Sequence, residues 1–348
     1  MEKHSDILFA ELSGRYGDIG LMTLNRPSVL NALNHAMFNA MHQQLTKWQT
    51  QSSIKAVIVL ATKGRAFSAG GDIRYAYEKK MANAADLPQF FLDEYQVNRQ
   101  IFHYPKPYIA LLNGLTMGGG AGISINGSHR VATENFQFAM PETGIGFFPD
   151  VGATYFLSHV PYYFGFYLGL SGEKISSEDC LKLGLIDYII PVEAQTDLIQ
   201  TLVNTPLPDK KNVTDIIQKF STKNISSSPL FLQKDLIKSI FSKNTIEEII
   251  KALTTSENIF AQKIGQVIQT KSPMSLKVTL KALQQGQLLN FDDCMQMESS
   301  MMMHFLQSHD FFEGIRAVVI DKDKNPNWQP NDLENISVAE VSRYFENS

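Results

Sequence analysis

Two short, almost wholly apolar runs constrain the fold of this chain most strongly. AVIVLA (56–61) and YIALLN (108–113) are continuous apolar stretches, as expected of strands that are buried on both faces. Between them lie GGDI (70–73), which can open a helix, and PQFFLDEYQVNRQIF (88–102), whose apolar residues suit a second helix. This alternation of strands and helices predicts an α/β fold with a largely parallel sheet.

The residues before the first run extend this pattern. ILFAEL and IGLMTL flank the turn-forming SGRYGD, which predicts a β-hairpin over 7–24. A helix is predicted from Asn34 onward, because Met37, Met41 and Leu45 recur at helical spacing. The chain therefore enters its parallel sheet through a hairpin and a helix.

The character of the sequence changes after Pro191. NTPLPDKKN and STKNISSSP are polar and rich in helix breakers, and helical patterns lie between and beyond them. We therefore predict a boundary near residue 204, with a core domain over 1–203 and a helical C-terminal region over 204–348. In that region, the methionine-rich stretch MQMESSMMMHFLQ (295–307) is interpreted as packing between helices and not as a ligand site.

Composition excludes several classes of protein. The 348 residues are 44% hydrophobic, and their formal net charge of -4 includes no long basic run, which argues against nucleic acid as a partner. Cys180 and Cys294 have neither disulfide nor zinc-site spacing, and no run approaches the length of a membrane span. The first fifteen residues contain Glu2, Asp6 and Glu11 and resemble no targeting peptide, so we expect a cytoplasmic location.

Each buried strand is followed by a cluster of glycines. AFSAGGD (66–72) follows the first and NGLTMGGGAG (113–122) the second. Glycine at a strand-to-helix junction lets a ligand approach the backbone and leaves amide hydrogens exposed at the start of the helix. Tight packing of helix on sheet is the alternative for either cluster alone, whereas two clusters in equivalent positions favour a shared site.

Several familiar sites are excluded by missing residues. A dinucleotide fingerprint starting at Gly118 or Gly120 needs glycine at position 123 or 125, and both positions hold isoleucine. The chain also lacks the P-loop, the serine-hydrolase elbow and the HExxH zinc motif. What remains is backbone amide donors together with acids.

Two carboxylates lie eight residues apart in the otherwise apolar stretch PETGIGFFPDVG (141–152). Either Glu142 or Asp150 alone can be explained as an acid that caps a turn or a helix. Together with two amide donors, however, the pair suits chemistry at a carbonyl group, where the amides hold an oxyanion and a carboxylate acts as base or nucleophile.

AFSAGGDI, NGLTMGGGAG and MPETGIGFFPDVG, in this order, resemble the crotonase (enoyl-CoA hydratase/isomerase) superfamily. The further stretches FFLDEY and HDFFEGIRAVVIDKDKNPNW extend the resemblance over nearly the whole chain, toward the branch that hydrolyses short 3-hydroxyacyl-CoA thioesters in valine degradation. The resemblance implies a crotonase-like α/β fold, which is a spiral of ββα repeats with a helical C-terminal region.

The resemblance also implies roles for individual residues. A coenzyme A thioester is expected to lie with its carbonyl between the backbone amides of Gly71 and Gly119, which form an oxyanion hole. Glu142 is implied as the catalytic acid that acts on this carbonyl, and Asp150 as a second catalytic acid that binds the 3-hydroxyl or positions water. The further residues implied in binding the substrate and its coenzyme A moiety are Glu94, Arg26, Ala69 and Asp72.

The sequence departs from the hydratases of that superfamily at two positions. Hydratases carry an acid after the triple glycine, where this chain has Gly122, and usually glycine where this chain has Asp150. This departure favours thioester hydrolysis over hydration. His103 and His129 belong to none of the matching motifs, and we interpret them as structural histidines.

Two other functions stay open at this point. One is an enoyl-CoA hydratase or isomerase, and the other is a non-catalytic protein that binds acyl-CoA. For the hydrolase, the resemblance implies an acyl-CoA substrate, no metal and no cofactor, because coenzyme A is part of the substrate. The lack of a long apolar run predicts no membrane partner, and the resemblance implies a homo-oligomer as one arrangement of the subunits.

Overall fold

The structure is a computed structural model that describes residues 5–207, 209–223 and 228–346. Within these ranges the chain folds into two compact units. The first unit takes its described residues from Met1–Gly71, Gln96–Phe138 and Ile175–Phe231, and the second from Asp72–Tyr95, Ala139–Lys174 and Leu232–Ser348. Each unit is thus assembled from three separate segments, whereas the sequence predicted one break near residue 204.

In the described part of the chain, ten strands form two sheets. The strands are β1 Ile7–Leu12, β2 Asp18–Leu24, β3 Ile54–Ala61, β4 Ala66–Ser68, β5 Tyr108–Leu112, β6 Leu115–Met117, β7 His129–Thr133, β8 Gln137–Ala139, β9 Ile175–Ser176 and β10 Tyr188–Ile190. One sheet has the order β1-β2-β3-β5-β7-β10 and the other β4-β6-β8-β9. The predicted hairpin is confirmed, since β1 and β2 are antiparallel.

Strands of the larger sheet alternate along the chain with strands of the smaller one. β3, β5 and β7 belong to the six-stranded sheet, in which β3 pairs in parallel with β5 and β5 with β7. Each is followed by a three-residue strand of the four-stranded sheet, namely β4, β6 and β8. This repeated step from one sheet to the other is the predicted spiral, and the predicted parallel sheet is confirmed.

The helices confirm the predicted pattern and its helical C-terminal part. They are α1 His35–Thr50, α2 Ile73–Met81, α3 Leu87–Phe102, α4 Gly119–Ile125, α5 Ala153–Ser158, α6 Phe164–Ser171, α7 Ser177–Lys182, α8 Gln195–Val203, α9 Lys210–Phe220, α10 Lys234–Phe241, α11 Ile246–Thr254, α12 Ile259–Ile268, α13 Pro273–Gly286, α14 Phe291–Phe305, α15 His309–Ile315 and α16 Val338–Arg343. Among the described residues, no helix combines the length and apolar character needed to cross a lipid bilayer.

Each unit buries its own apolar side chains. In the first, Ile58 of β3 and Ile109 of β5 pack in one cluster with Leu198 of α8 and Ile217 of α9. In the second, the methionine-rich face of α14 is buried, as the sequence predicted. Its fully buried methionines are Met295, Met301 and Met302. Both units therefore provide rigid elements on which functional groups can be held.

Candidate active site

The structure brings the two glycine clusters together within the first unit. β4 and β6 pair in parallel, so the residues that follow them emerge at the same edge of the small sheet. A Cβ atom on Gly70, whose φ is +100°, would lie 3.3 Å from the amide nitrogen of Gly119 and 3.1 Å from the carbonyl oxygen of Met117. Glycine at position 70 therefore allows the two chain segments to touch.

This arrangement refines one prediction. Each glycine cluster was predicted to follow a buried strand, and the structure adds that residues 66–68 and 115–117 within the two stretches themselves form the short strands β4 and β6. Three residues carry too little periodicity to be recognised as a strand from sequence. The expected equivalence of the two clusters is nevertheless confirmed, because β4 and β6 are neighbours in one sheet.

Two backbone amides at this junction are free to donate. Within the described residues, neither the amide of Gly71 nor that of Gly119 donates a hydrogen bond to the protein. Gly119 is the first residue of α4, so it has no carbonyl one turn earlier in the helix. Gly71 forms an isolated parallel bridge with Leu33, in which the amide of Leu33 donates to the carbonyl oxygen of Gly70 and the amide of Gly71 is not used. Two neutral donors of this kind match the need of a developing oxyanion, and the assignment of Gly71 and Gly119 to that role stays a prediction.

Gly122 lies in the interior of α4, where it is buried. Its carbonyl oxygen accepts a hydrogen bond of 2.9 Å from the side chain of Asn126. The position at which the resemblance expects an acid in hydratases is thus occupied in this chain by backbone alone.

The acids lie in the second unit and are almost completely buried. Glu94 of α3 is 3% exposed, Asp150 is 5% exposed, and Glu142, at the start of a 3-10 turn over Glu142–Ile145, is 7% exposed. Burial raises the pKa of Glu94 well above its usual value, and the charges of Asp150 and Glu142 raise it further. The structure therefore groups the three acids that the sequence singled out.

Glu142 has an oxygen that the protein does not use. Among the described residues, its Oε2 atom has no hydrogen-bond partner although it is buried. Burial is the main cause that raises the pKa of Glu142 well above its usual value, and the charge of Asp150 adds to it. An unpaired, poorly solvated carboxylate is a stronger base and nucleophile than a hydrated one, which is the property that attack on a carbonyl or activation of water requires.

Asp150 is held by a neighbouring phenol. The hydroxyl of Tyr95 donates a 2.8 Å hydrogen bond to its Oδ2 atom. Burial raises the pKa of Asp150 to about 7, even though the hydrogen bond from Tyr95 acts in the opposite direction. Near neutral pH this side chain can thus exchange between an acceptor and a donor of hydrogen bonds, as suits a group that binds a hydroxyl.

Aromatic side chains surround the segment that joins the two acids. The ring centroid of Phe147 lies 4.6 Å from that of Phe148, 4.5 Å from that of Phe311 and 5.7 Å from that of Phe91. Phe147 is 3% exposed and Phe148 0% exposed, so the rings of this segment lie away from solvent. They provide the apolar surroundings that the sequence stretch GFFPD indicated.

A buried acid whose charge interacts with that of Asp150 was missed by sequence reasoning. Glu298 lies on α14 and is 0% exposed, and its carboxylate accepts hydrogen bonds from the amides of Gly152 and Thr154. Burial and the charge of Asp150 raise the pKa of Glu298 to about 8. The available signal was a single acid on the apolar face of a methionine-rich helix, a face that we interpreted only as packing.

The residues proposed to hold coenzyme A are engaged in local structure. The guanidinium of Arg26 donates to the carbonyl of Ala32 and lies 3.3 Å from Asp6, and the amide of Ala69 donates to Leu30. Asp72 is the residue that precedes α2, without a side-chain cap. Their part in binding coenzyme A stays a prediction.

The two histidines that the sequence singled out belong to the first unit, whereas the three acids belong to the second. His129 is buried, and its ring nitrogens lie within hydrogen-bond distance of Ser128, Thr214 and the carbonyl of Lys210, which confirms a structural role. His103 is exposed and packs edge-on against Phe102. Within the described ranges, no three His, Cys, Asp or Glu side chains are arranged to hold a metal ion.

Comparison with known proteins agrees with the fold. The family model for enoyl-CoA hydratase/isomerase matches residues 19–345. The chain is 38% identical to the mitochondrial 3-hydroxyisobutyryl-CoA hydrolase of Homo sapiens, over 99% of this chain and 90% of that protein. It is 40% identical to the same enzyme of Xenopus tropicalis, over 94% of this chain and 86% of that protein.

A solved structure extends this agreement to three dimensions. A carnitinyl-CoA dehydratase from Mycobacterium thermoresistibile superposes with a TM-score of 0.91 at 33% identity, over 99% of this chain and 97% of that one. The alternation between two sheets, the paired glycine clusters and the matches in sequence lead to one conclusion. The chain belongs to the enoyl-CoA hydratase/isomerase family.

Proposed function

We propose that this chain is an acyl-CoA thioester hydrolase that converts 3-hydroxyisobutyryl-CoA to 3-hydroxyisobutyrate and coenzyme A. The observation that carries the proposal is the buried pair of Glu142 and Asp150 in one unit, together with Gly122 at the position where hydratases carry an acid. The names of the two relatives described above support the choice of substrate.

In the proposed reaction, the amides of Gly71 and Gly119 stabilise negative charge on the thioester oxygen. Glu142 either attacks the carbonyl carbon, which releases the thiolate and leaves an anhydride for water to hydrolyse, or takes a proton from a water molecule that attacks directly. On both routes one water is consumed, the C–S bond breaks, and the thiolate gains a proton. Neither route requires a metal or a cofactor.

Asp150 is proposed to select the substrate. Tyr95 binds its Oδ2 atom, and the other oxygen of the carboxylate is proposed to bind the 3-hydroxyl group of the acyl chain. Glu94, the third buried acid, is proposed to contact the same acyl chain. A polar group built to bind a hydroxyl disfavours substrates that lack it, because its own hydrogen bond is then lost.

A hydratase is the second candidate, because the solved relative carries a dehydratase name. Gly122 argues against it, since addition of water to a double bond in that superfamily is expected to use an acid at this position. A non-catalytic acyl-CoA-binding protein is the third candidate, and the unpaired buried oxygen of Glu142 argues against it, because such an atom is costly unless it has a use.

One assay separates these candidates. Purified protein is given 3-hydroxyisobutyryl-CoA, 3-hydroxypropionyl-CoA or crotonyl-CoA, and free thiol is trapped while loss of the enoyl double bond is followed. The hydrolase releases thiol from the 3-hydroxyacyl esters. Loss of the double bond of crotonyl-CoA without thiol release indicates a hydratase, and binding without any turnover indicates the non-catalytic alternative.

Further parts of the proposal concern partners and location. Arg26, Ala69 and Asp72 are proposed to contact coenzyme A. Lys63 lines a cavity of about 290 Å³ at the carboxyl ends of β3 and β5.

Assembly into a homo-oligomer is proposed, and light scattering tests it. A cytoplasmic location is proposed, because the two buried free cysteines suit a reducing compartment. The relatives described above are named as mitochondrial, and cell fractionation distinguishes the two locations.

A further inference from the structure

The backbone turn that follows Asp150 is strained. The amide of Ala153 donates a 2.9 Å hydrogen bond to the carbonyl oxygen of Asp150, which closes a four-residue turn. Both central residues are left-handed, with φ of +58° at Val151 and +89° at Gly152. Glycine adopts this conformation readily, but a β-branched residue does not, so the surrounding structure must hold Val151 in place.

Glu298 supplies the contacts that hold this turn. Its Oε2 atom accepts a 2.8 Å hydrogen bond from the amide of Gly152, and its Oε1 atom accepts bonds from the amide of Thr154 at 3.0 Å and from the hydroxyl of Thr154 at 2.6 Å. The acid is fully buried, and burial of a carboxylate is unfavourable unless several donors compensate it. Its donors all belong to the turn and to the first residues of α5.

Asp150 is thus fixed at two places. Tyr95 binds its carboxylate directly, whereas Glu298 binds the backbone just beyond it. We propose that Glu298 is a positioning residue for Asp150, which holds the left-handed turn so that the Asp150 carboxylate is aimed at the 3-hydroxyl group of the substrate. This inference rests on the proposed function, because it assigns to Asp150 the task of binding that hydroxyl.

The inference predicts a selective defect. If Glu298 serves Asp150, its loss weakens the use of thioesters that carry a 3-hydroxyl and has much less effect on thioesters without one. If Glu298 merely supports the fold, both kinds of substrate are affected in proportion. Burial of Glu298 fits either role, whereas a change in the ratio of the two specificity constants fits only the first.

The experiment measures kcat/KM for 3-hydroxyisobutyryl-CoA and for isobutyryl-CoA, which lacks the hydroxyl. Glu298→Gln keeps the size of the side chain but turns one acceptor into an NH2 group that faces a backbone N–H. Because a hydrogen bond to a charged group contributes enough free energy for about a tenfold change, we expect the ratio to fall about tenfold. Thr154→Val removes the hydroxyl donor and should lower the ratio about threefold. Thr154→Ser keeps this hydroxyl and should have the wild-type ratio.

Asp179→Asn is the matched control. Asp179 is also a buried carboxylate at a helix start, where it accepts hydrogen bonds from the amide and hydroxyl of Ser176, the N-cap of α7. It lies in the first unit, whereas the acid cluster of Glu94, Glu142, Asp150 and Glu298 belongs to the second. We expect this variant to lose thermal stability and to keep the wild-type ratio.

The outcomes separate the inference from the proposed function. Absence of thiol release by the wild-type protein overturns both. Normal release with an unchanged ratio in Glu298→Gln overturns the positioning role alone. If Glu298→Gln does not fold, the Thr154→Val variant decides. An equal loss of kcat/KM for both substrates in Thr154→Val counts against the inference, and so does a lowered ratio in Thr154→Ser.

Discussion

The two regions that carry the proposed chemistry differ in the kind of group that they offer. In the first unit, the glycine clusters offer neutral backbone amides from two continuous stretches of sequence, 66–72 and 113–122. In the second unit, the acid cluster offers four buried carboxyl groups from three distant parts of the chain, at Glu94, at Glu142 and Asp150, and at Glu298. One region is built by the backbone and the other by side chains.

This difference predicts a division of labour. A backbone amide contacts only the thioester oxygen, which every acyl-CoA has, so the glycine region should serve any substrate of the class equally. Buried carboxyl groups respond to the rest of the acyl chain and to pH, because their hydrogen bonds and charges depend on both. Loss of rate should therefore follow changes in either region, whereas changes in selectivity and pH dependence should follow the acids.

The largest effect is expected from Glu142→Gln. The amide keeps the size of the side chain but can neither attack a carbonyl nor take a proton, so kcat for thiol release should fall by about 10²–10⁴. Binding of the substrate, measured by calorimetry, should stay within a few-fold of wild type. Glu247→Gln, at a partly exposed acid that pairs with Lys277 at 2.7 Å, is the control and should keep full turnover. Near-normal turnover of Glu142→Gln would rule out the assigned role.

Gly119→Val should lower thiol release almost as much. A branched side chain beside the amide moves the thioester oxygen away from its donor, and loss of one such donor costs about 10²–10³ in rate. Gly120→Ala is the matched variant, because its Cβ atom would lie 2.7 Å from the carbonyl oxygen of Ser68. We expect Gly120→Ala to lose mainly stability, about 1–3 kcal/mol. If Gly119→Val loses stability in step with its activity, the glycine cluster serves packing and not catalysis.

The pH dependence of turnover should come from the acids. The ionised form of Glu142 is the reactive one, and burial together with the charge of Asp150 raises its pKa. The rate of thiol release should therefore increase with pH, with its midpoint above the ordinary range of a carboxyl group. Asp150→Asn removes one of the two causes, so the midpoint should move to lower pH. A midpoint that stays in place in this variant would contradict the electrostatic coupling between the two acids.

The smallest expected effect concerns stability. The pKa of Asp150 is raised from 3.8 to about 7 and that of Glu298 from 4.5 to about 8, so the folded protein binds protons more tightly than the unfolded chain. Their contribution to the free energy of unfolding is complete below about pH 4 and is lost as pH rises toward 7 to 8. Thermal unfolding should thus occur at higher temperature at pH 5 than at pH 8, and this difference in unfolding temperature should shrink in Glu298→Gln. If the unfolding temperature changes equally between pH 5 and pH 8 in wild type and in Glu298→Gln, Glu298 does not contribute to the pH dependence of stability.

The sequence predicted the parts of the molecule that local pattern determines. β3 and β5 are short continuous apolar runs, as expected of strands buried on both faces, and their parallel pairing agrees with this prediction. The start of α1 was equally readable, since the side chain of Asn34 accepts a hydrogen bond from the amide of Met37. Glu142 and Asp150 were found because acids in an apolar, glycine-rich stretch need a reason to be there.

Other features depend on contacts between distant parts of the chain. Glu298 accepts a hydrogen bond from Gly152, 146 residues away in the sequence, and the local sequence around either residue does not indicate this contact. A single acid among Met295, Met301 and Met302 on one helix face was the only local sign. Tyr95 lies in the stretch 88–102, of which only the helical pattern was predicted, and its hydrogen bond to Asp150 is evident only in the structure.

The measurement that most directly tests the division of labour is the ratio of kcat/KM for 3-hydroxyisobutyryl-CoA to kcat/KM for isobutyryl-CoA. It is compared between wild type, Asp150→Gly and Gly119→Val. We predict that Asp150→Gly lowers the ratio by about tenfold or more, because only the hydroxylated substrate loses a hydrogen bond. Gly119→Val should lower both specificity constants and leave their ratio unchanged. An unchanged ratio in Asp150→Gly would contradict the account, and would mean that this acid handles water or supports the fold.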